Sequence, residues 1–348
     1  MGDGFLHGAC AAAHESWANL RNRQVSVKDD FMRAAPAGLT AQAERCKFLS
    51  FGNCNYFTRQ VRRRIMIHTT GLAATHMECR NLQESLPVMT ELLAFEKISE
   101  KPGEATLKHP NTHWLLVVHE AGPEAPAKPM HNHWGVRVVD PQEVDRAYDY
   151  LVAHKAQYKL GAIGKPTWSH GSYSCYFVEP GSNGWEIECY EAFNRKQATA
   201  ERFGAVKMAH WDQLLPEEKF PGRGYVPQGF THGTLVATDL EASKNFYMNV
   251  LGLDAHRFSD HVIYIKHPTT KTFVVCALRQ NAPVFSTNFR NTLTVATKDA
   301  VIAAHGRFAD DGKSLGVSEL FELKESEASA SFYFRDPGTN CWEISTAN

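Results

Sequence analysis

The chain has 348 residues, 43% of them hydrophobic and 22% charged, with 37 basic against 38 acidic side chains and a net charge of −1. That balance excludes nucleic acid or an anionic membrane surface as an electrostatic partner; no apolar run reaches the roughly 18 residues of a membrane span, and the length suits about two domains. Eight cysteines without CxxC pairs point to reduced thiols in a cytoplasm, and 17 histidines are the unusual count.

Residues 1–65 read as an N-terminal extension: nothing there alternates like a strand, and Asp29, Asp30 and Glu44 interrupt the basic residues and so argue against a transit peptide. From residue 71 onward one pattern recurs, a short strand, an amphipathic helix and two or three further strands. It begins at 74–94, 132–154, 230–253 and, most weakly, 291–309. Segment 230–253 shows it best. There an alternating strand carrying His232 meets Asp239, a plausible N-cap, and a helix over 240–250 is closed by Gly252, with strands at 261–266 and 271–278. The first two modules are expected to form one domain at 70–195, with 196–224 as connector and the last two modules as a second domain at 225–348.

Residues 179–188 read EPGSNGWEIE and 336–345 read DPGTNCWEIS, so one phrase occurs twice in the chain. Such long-range self-similarity marks a structural unit used more than once. In each copy a Pro-Gly turn precedes an alternating strand, which places Glu186 and Glu343 inside a final strand on one face. Trp185 and Trp342 then point to the core.

His232, Asp239-Leu240, Ser243, Phe246-Tyr247 and Leu251-Gly252, together with DPGTNCWEI, resemble the vicinal oxygen chelate superfamily of glyoxalases, fosfomycin-resistance proteins and extradiol ring-cleavage dioxygenases. The resemblance covers most of the chain and implies an α+β fold. Four βαβββ modules would pair into two domains, each a curved mixed sheet around a cup, with a divalent metal held from first and last strands. Fold alone does not choose the chemistry.

Two histidines and one carboxylate on one side of an iron leave adjacent positions open for substrate and oxygen. His76, His133 and Glu186 follow the order and strand placement of that trio in type I extradiol enzymes. Counting back from the helix, however, places Ala74 at the ligand position, and a cross-paired arrangement would replace His76 by His232. The C-terminal half has Glu343 but Asn291 where its second histidine is expected. The resemblance further assigns His119 to handling bound oxygen and Tyr176 and His170 to positioning a diol. The expected protein is therefore an Fe(II) dioxygenase, with Mn(II) able to use the same ligands. It would cleave a catechol-like or hydroquinone-like aromatic diol with O2, as a cytoplasmic homo-oligomer. A glyoxalase-type isomerase or epimerase, for which Glu120 is the available second carboxylate, and a metal-free binding protein are the alternatives.

Overall fold

The computed structural model describes residues 67–128, 132–169, 172–190, 213–270 and 272–347. The expected extension over 1–65 and most of the connector lie outside them. The described residues fall within one compact unit, Gln60–Asn348.

Four modules are present. The first runs β1 (Thr69–Cys79), α1 (Leu82–Pro87), β2 (Glu96–Lys101), β3 (Glu104–Lys108) and β4 (Leu115–Glu120). The second comprises β5 (His133–Arg137), α2 (Pro141–Ala153), β6 (Thr167–Ser169), β7 (Ser172–Val178) and β8 (Gly184–Tyr190). The third comprises β9 (Gly229–Ala237), α3 (Leu240–Asn249), β10 (Asp254–Ser259), β11 (Val262–Lys266) and β12 (Phe273–Leu278). The fourth comprises β13 (Arg290–Val295), α4 (Lys298–Leu315), β14 (Glu319–Leu320), β15 (Lys324–Glu325), β16 (Ala330–Arg335) and β17 (Cys341–Thr346). Each helix starts where a short polar side chain satisfies its free amides. Asn81 accepts from Glu84 N at 3.0 Å, Asp140 from Glu143 N at 2.9 Å, Asp239 from Ala242 N at 2.9 Å and Thr297 from Ala300 N at 3.2 Å.

The pairing of modules differs from expectation. One sheet runs β14-β16-β17-β13-β1-β4-β3-β2, with β15 on β16, and joins the fourth module to the first. The other runs β10-β11-β12-β9-β5-β8-β7-β6 and joins the third to the second. The seams are antiparallel pairs of first strands, β1 with β13 and β5 with β9. Thus the segments 70–195 and 225–348 do not each close a sheet, because each module's first strand finds its antiparallel partner in the other half of the chain.

The duplicated phrase ties the two sheets together. Buried Glu179 accepts from Gly181 N at 2.7 Å and from Asn183 Nδ2 at 2.6 Å, and that amide also donates to Glu78 O in β1 at 2.8 Å. The second copy repeats this: Asn340 Nδ2 donates to Asp336 and, at 2.8 Å, to Val236 O in β9. Each turn therefore fastens a last strand in one sheet to a first strand in the other, which is why acid, Gly and Asn recur together. Between the sheets lies one continuous apolar core containing the fully buried Trp185 and Trp342, the role expected of both. The helices pack on the same side, α2 on β7 and β8 and α4 on β13, β16 and β17. The opposite, concave faces remain for polar chemistry.

Candidate metal centre

Parallel register in β5 and β8 sets His133 opposite Gly184, Gly135 opposite Glu186 and Arg137 opposite Glu188. Since directly paired residues share a face, His133, Arg137, Glu186, Glu188 and Tyr190 all point into one cup. Across the seam, Gly135 pairs with His232 of β9. The glycine is required there: a Cβ would lie 2.0 Å from Cε1 of the His232 ring. Only at that clearance does the ring reach across β5 to its partners.

His133 Nε2 and His232 Nε2 each lie 3.1 Å from Glu186 Oε2, and 3.4 Å from each other. Among the described residues this is the one group of three potential ligands whose donor atoms lie within 4.8 Å of one another. Glu186 is 3% exposed and His232 2% exposed. Burial would push the Glu186 carboxyl up, but the hydrogen bonds and charges of His133 and His232 hold it well below the usual range. Burial likewise opposes charge on His232, yet the Glu188 charge and contacts with Glu186 and Glu188 raise it to about 9. Two imidazole nitrogens and one carboxylate oxygen converging in a buried cup are a donor set that Fe(II) or Mn(II) accepts.

Tyr176, in β7 opposite Glu186, donates from Oη to Glu186 Oε1 at 2.7 Å. Its burial and the neighbouring Glu186 charge hold the phenol well above its ordinary value, so it stays a donor. Oε1 is thereby occupied and Oε2 is left to face the histidines. The fourth position is apolar. In β12, Phe273 pairs with His232 and Val275 with Thr234, as Gly184 pairs with His133 and Glu186 with Gly135 in the neighbouring module. The Phe273 ring stacks on His232 at 5.3 Å and 17°. Val275 therefore stands where a second ligating carboxylate would come from.

Of the residues singled out in the sequence, His133, Glu186, His232 and Tyr176 come together, and His76 and His119 do not. Those two lie in β1 and β4 of the other sheet, where Ala74 pairs with Thr292 as His232 pairs with Gly135. The ligand position of β1 is thus Ala74, and His76 sits one repeat further along. His76 Nδ1 is 3.0 Å from His119 Nε2 with the rings stacked, and its Nε2 is 3.1 Å from Thr292 Oγ1. Thr292 donates to Glu343 Oε2 at 2.8 Å, and His119 Nδ1 lies 3.1 Å from Glu104 Oε2. Burial, then the Arg290 charge, hold both histidines below their ordinary value. His119 therefore belongs to a hydrogen-bonded chain in the other cup. The histidine equivalent of His133 is replaced there by Arg290, and Asn291 pairs with Trp342 on the opposite face. Glu120, the carboxylate available to the isomerase alternative, accepts from Leu82 N at 2.7 Å and caps α1. His170 lies outside the described residues. Glu188 escaped the sequence reading, although the alternation in WEIECY puts it on the face of Glu186.

The sequence model of the glyoxalase/bleomycin resistance protein/dioxygenase superfamily matches residues 71–188 and 229–344. No curated protein matches the chain in sequence. Among solved structures, glyoxalase I from Zea mays superposes with a TM-score of 0.52 at 14% identity, over 79% of this chain and 92% of that one. A protein of Bacillus subtilis subsp. subtilis str. 168 assigned as a dioxygenase superposes with a TM-score of 0.51 at 13% identity, over 80% and 86%. At these identities the likeness is one of fold. With two matched segments that together span well over half its length, the chain belongs to the glyoxalase/bleomycin resistance protein/dioxygenase superfamily.

Proposed function

We propose that the chain is a non-haem Fe(II) dioxygenase of the extradiol type, which opens the ring of a small catechol-like or hydroquinone-like diol beside a hydroxyl. The observation that carries this reading is the convergence of His133 Nε2, His232 Nε2 and Glu186 Oε2 with no second carboxylate beside them among the described residues, Val275 holding its place. His133, His232 and Glu186 would hold a divalent iron, which would bring a diol and dioxygen together and make the diol hydroxyl more acidic.

The chain's own residues do the rest. His133 and His232 present their Nε2 atoms from the two strands of the seam, which fixes their separation through backbone hydrogen bonds rather than through a flexible loop. Tyr176 holds Glu186 by Oε1 and keeps that carboxylate from rotating. Phe273 covers one face of His232 and Val275 lies beside it, so water is excluded from that side and the reactants are confined to the other. His170 precedes β7, the strand that carries Tyr176, by two residues in sequence; we assign it the proton transfers to and from the diol. A glyoxalase-type enediolate reaction calls for a further carboxylate base, and β12, reading FVVCAL, has none.

The test is anaerobic loading with Fe(II), followed by oxygen uptake across a panel of catechols and hydroquinones. Uptake matched by ring-opened product supports the proposal; an iron-replete sample that consumes no oxygen with any diol contradicts it.

A further inference from the structure

We propose that Glu188 is a positioning residue for the metal centre. It would fix the tautomer of His232 through Nδ1 and so keep the Nε2 lone pair on the cation. This rests on the metal reading of the site above.

Glu188 follows Glu186 by two residues in β8, shares its face and is 1% exposed. Its Oε1 lies 3.4 Å from His232 Nδ1 and accepts from Thr231 Oγ1 at 3.1 Å. Thr231 Oγ1 is itself 3.1 Å from the same ring nitrogen. The Thr231 hydroxyl has one proton, and an ionised carboxylate can only accept. With that proton on Glu188 Oε1 or on Gly135 O, 3.2 Å away, the hydroxyl oxygen is left as an acceptor towards the ring, and both groups behind it require Nδ1 to carry hydrogen. Nε2 is then the nitrogen that a cation strips of its proton and binds. Glu188 is in turn held by Arg137, which is 0% exposed, donates from Nη2 to Oε1 at 2.7 Å and lies over the Tyr190 ring at 4.2 Å.

A buried ion pair is costly, and an apolar pair of similar volume often serves a fold as well or better. The duplicated architecture contains its own control. Arg137 pairs with Glu188 in the cup that holds the trio, and the matching pair in the other cup, two residues beyond Thr292 and Glu343, is Thr294 with Ser345. There the position is half-buried and carries no charge. The charged pair occurs in the cup where two imidazoles converge on the last-strand glutamate and is absent from the other. A carboxylate behind a ligating imidazole orients the ring and strengthens it as a donor, and Arg137 holds that carboxylate on the Nδ1 side of the ring.

The experiment uses the full chain stripped of metal and titrated with Co(II), reading both affinity and the visible d–d bands, with melting followed in parallel. Wild type should bind one Co(II). Glu188→Gln should bind it roughly 10- to 100-fold more weakly, with shifted bands. The double variant Arg137→Met/Glu188→Leu keeps an apolar filling of similar size. It should melt near wild type and still bind weakly, which a merely structural role would not produce. Wild-type affinity and bands in either variant would overturn the role of Glu188. A wild-type chain that binds no Co(II) would overturn it together with the metal reading. Weakened Co(II) binding in the variants beside an iron-loaded wild type that consumes no oxygen would leave Glu188 in place and remove ring cleavage alone.

Discussion

Arg290 stands in β13 where His133 stands in β5: each lies two residues before the partner of the last-strand glutamate, Thr292 opposite Glu343 and Gly135 opposite Glu186. Tyr333 opposes Glu343 as Tyr176 opposes Glu186. The second cup thus keeps the carboxylate and the tyrosine but answers the charge differently. Arg290 Nε donates to Glu343 Oε2 at 2.9 Å, and its guanidinium lies over Tyr333 at 4.6 Å. A resident guanidinium stands in place of the His133 imidazole and balances the carboxylate.

The first prediction follows from that replacement. Arg290→Ala leaves buried Glu343 without its guanidinium, with the Thr292 hydroxyl donating at 2.8 Å and His76 Nε2 3.9 Å away, and should cost about 3–5 kcal/mol of stability. Chemical denaturation measures it. Bound iron should stay at the wild-type stoichiometry, because the other cup is untouched.

Tyr176→Phe deletes the donor to Glu186 Oε1 and frees the carboxylate to rotate. Metal affinity should fall roughly 10- to 100-fold, as for other groups that orient a ligand, while melting changes little. His119→Ala, by contrast, should leave both metal content and oxygen uptake at wild-type values, since its partners are His76 and Glu104. Loss of turnover with metal retained would return His119 to the reaction.

Gly135→Ala probes the close crossing of His232 over β5. The added methyl would overlap ring atoms, with Cε1 at 2.0 Å and Nδ1 at 2.4 Å, so the ring must leave its position. Iron content after anaerobic loading should drop to background in a chain that still folds; retention of full iron would show that the crossing is looser than drawn.

The pH dependence has a definite sign. In the metal-free cup His232 is raised from 6.5 to about 9, against burial, by the Glu188 charge and by contacts with Glu186 and Glu188. Its contribution to metal-free stability is therefore fully present below about 6.5 and is lost as pH rises through about 9. A cation must displace the same proton, so apparent affinity should climb with pH up to about 9 and binding near neutrality should release a proton. Calorimetry in buffers of different ionisation enthalpy reads that release; pH-independent binding would contradict it.

Much of the fold was legible because its signals are local. Asp239 and its helix, the Pro-Gly turns and the alternation around Glu186 and Glu343 each need only a short stretch of chain. Module pairing was not, since the seams β5–β9 and β1–β13 join Gly135 to His232 and Ala74 to Thr292, partners far apart in sequence, and no local pattern announces an antiparallel partner. The site inherited that limit. His133, Glu186 and Tyr176 could be read because they belong to one module, whereas the choice between His76 and His232 depends on which first strand lies across the seam. A one-residue offset did further harm: reading Asn291 in place of Arg290 exchanges the two faces of a strand and hides the guanidinium that fills the second cup.

The most direct measurement is Fe(II) stoichiometry after anaerobic loading of wild type, His76→Ala and His232→Ala. One iron per chain is expected in the first two and none in the third. Full iron in His232→Ala together with loss in His76→Ala would contradict the centre formed by His133, Glu186 and His232.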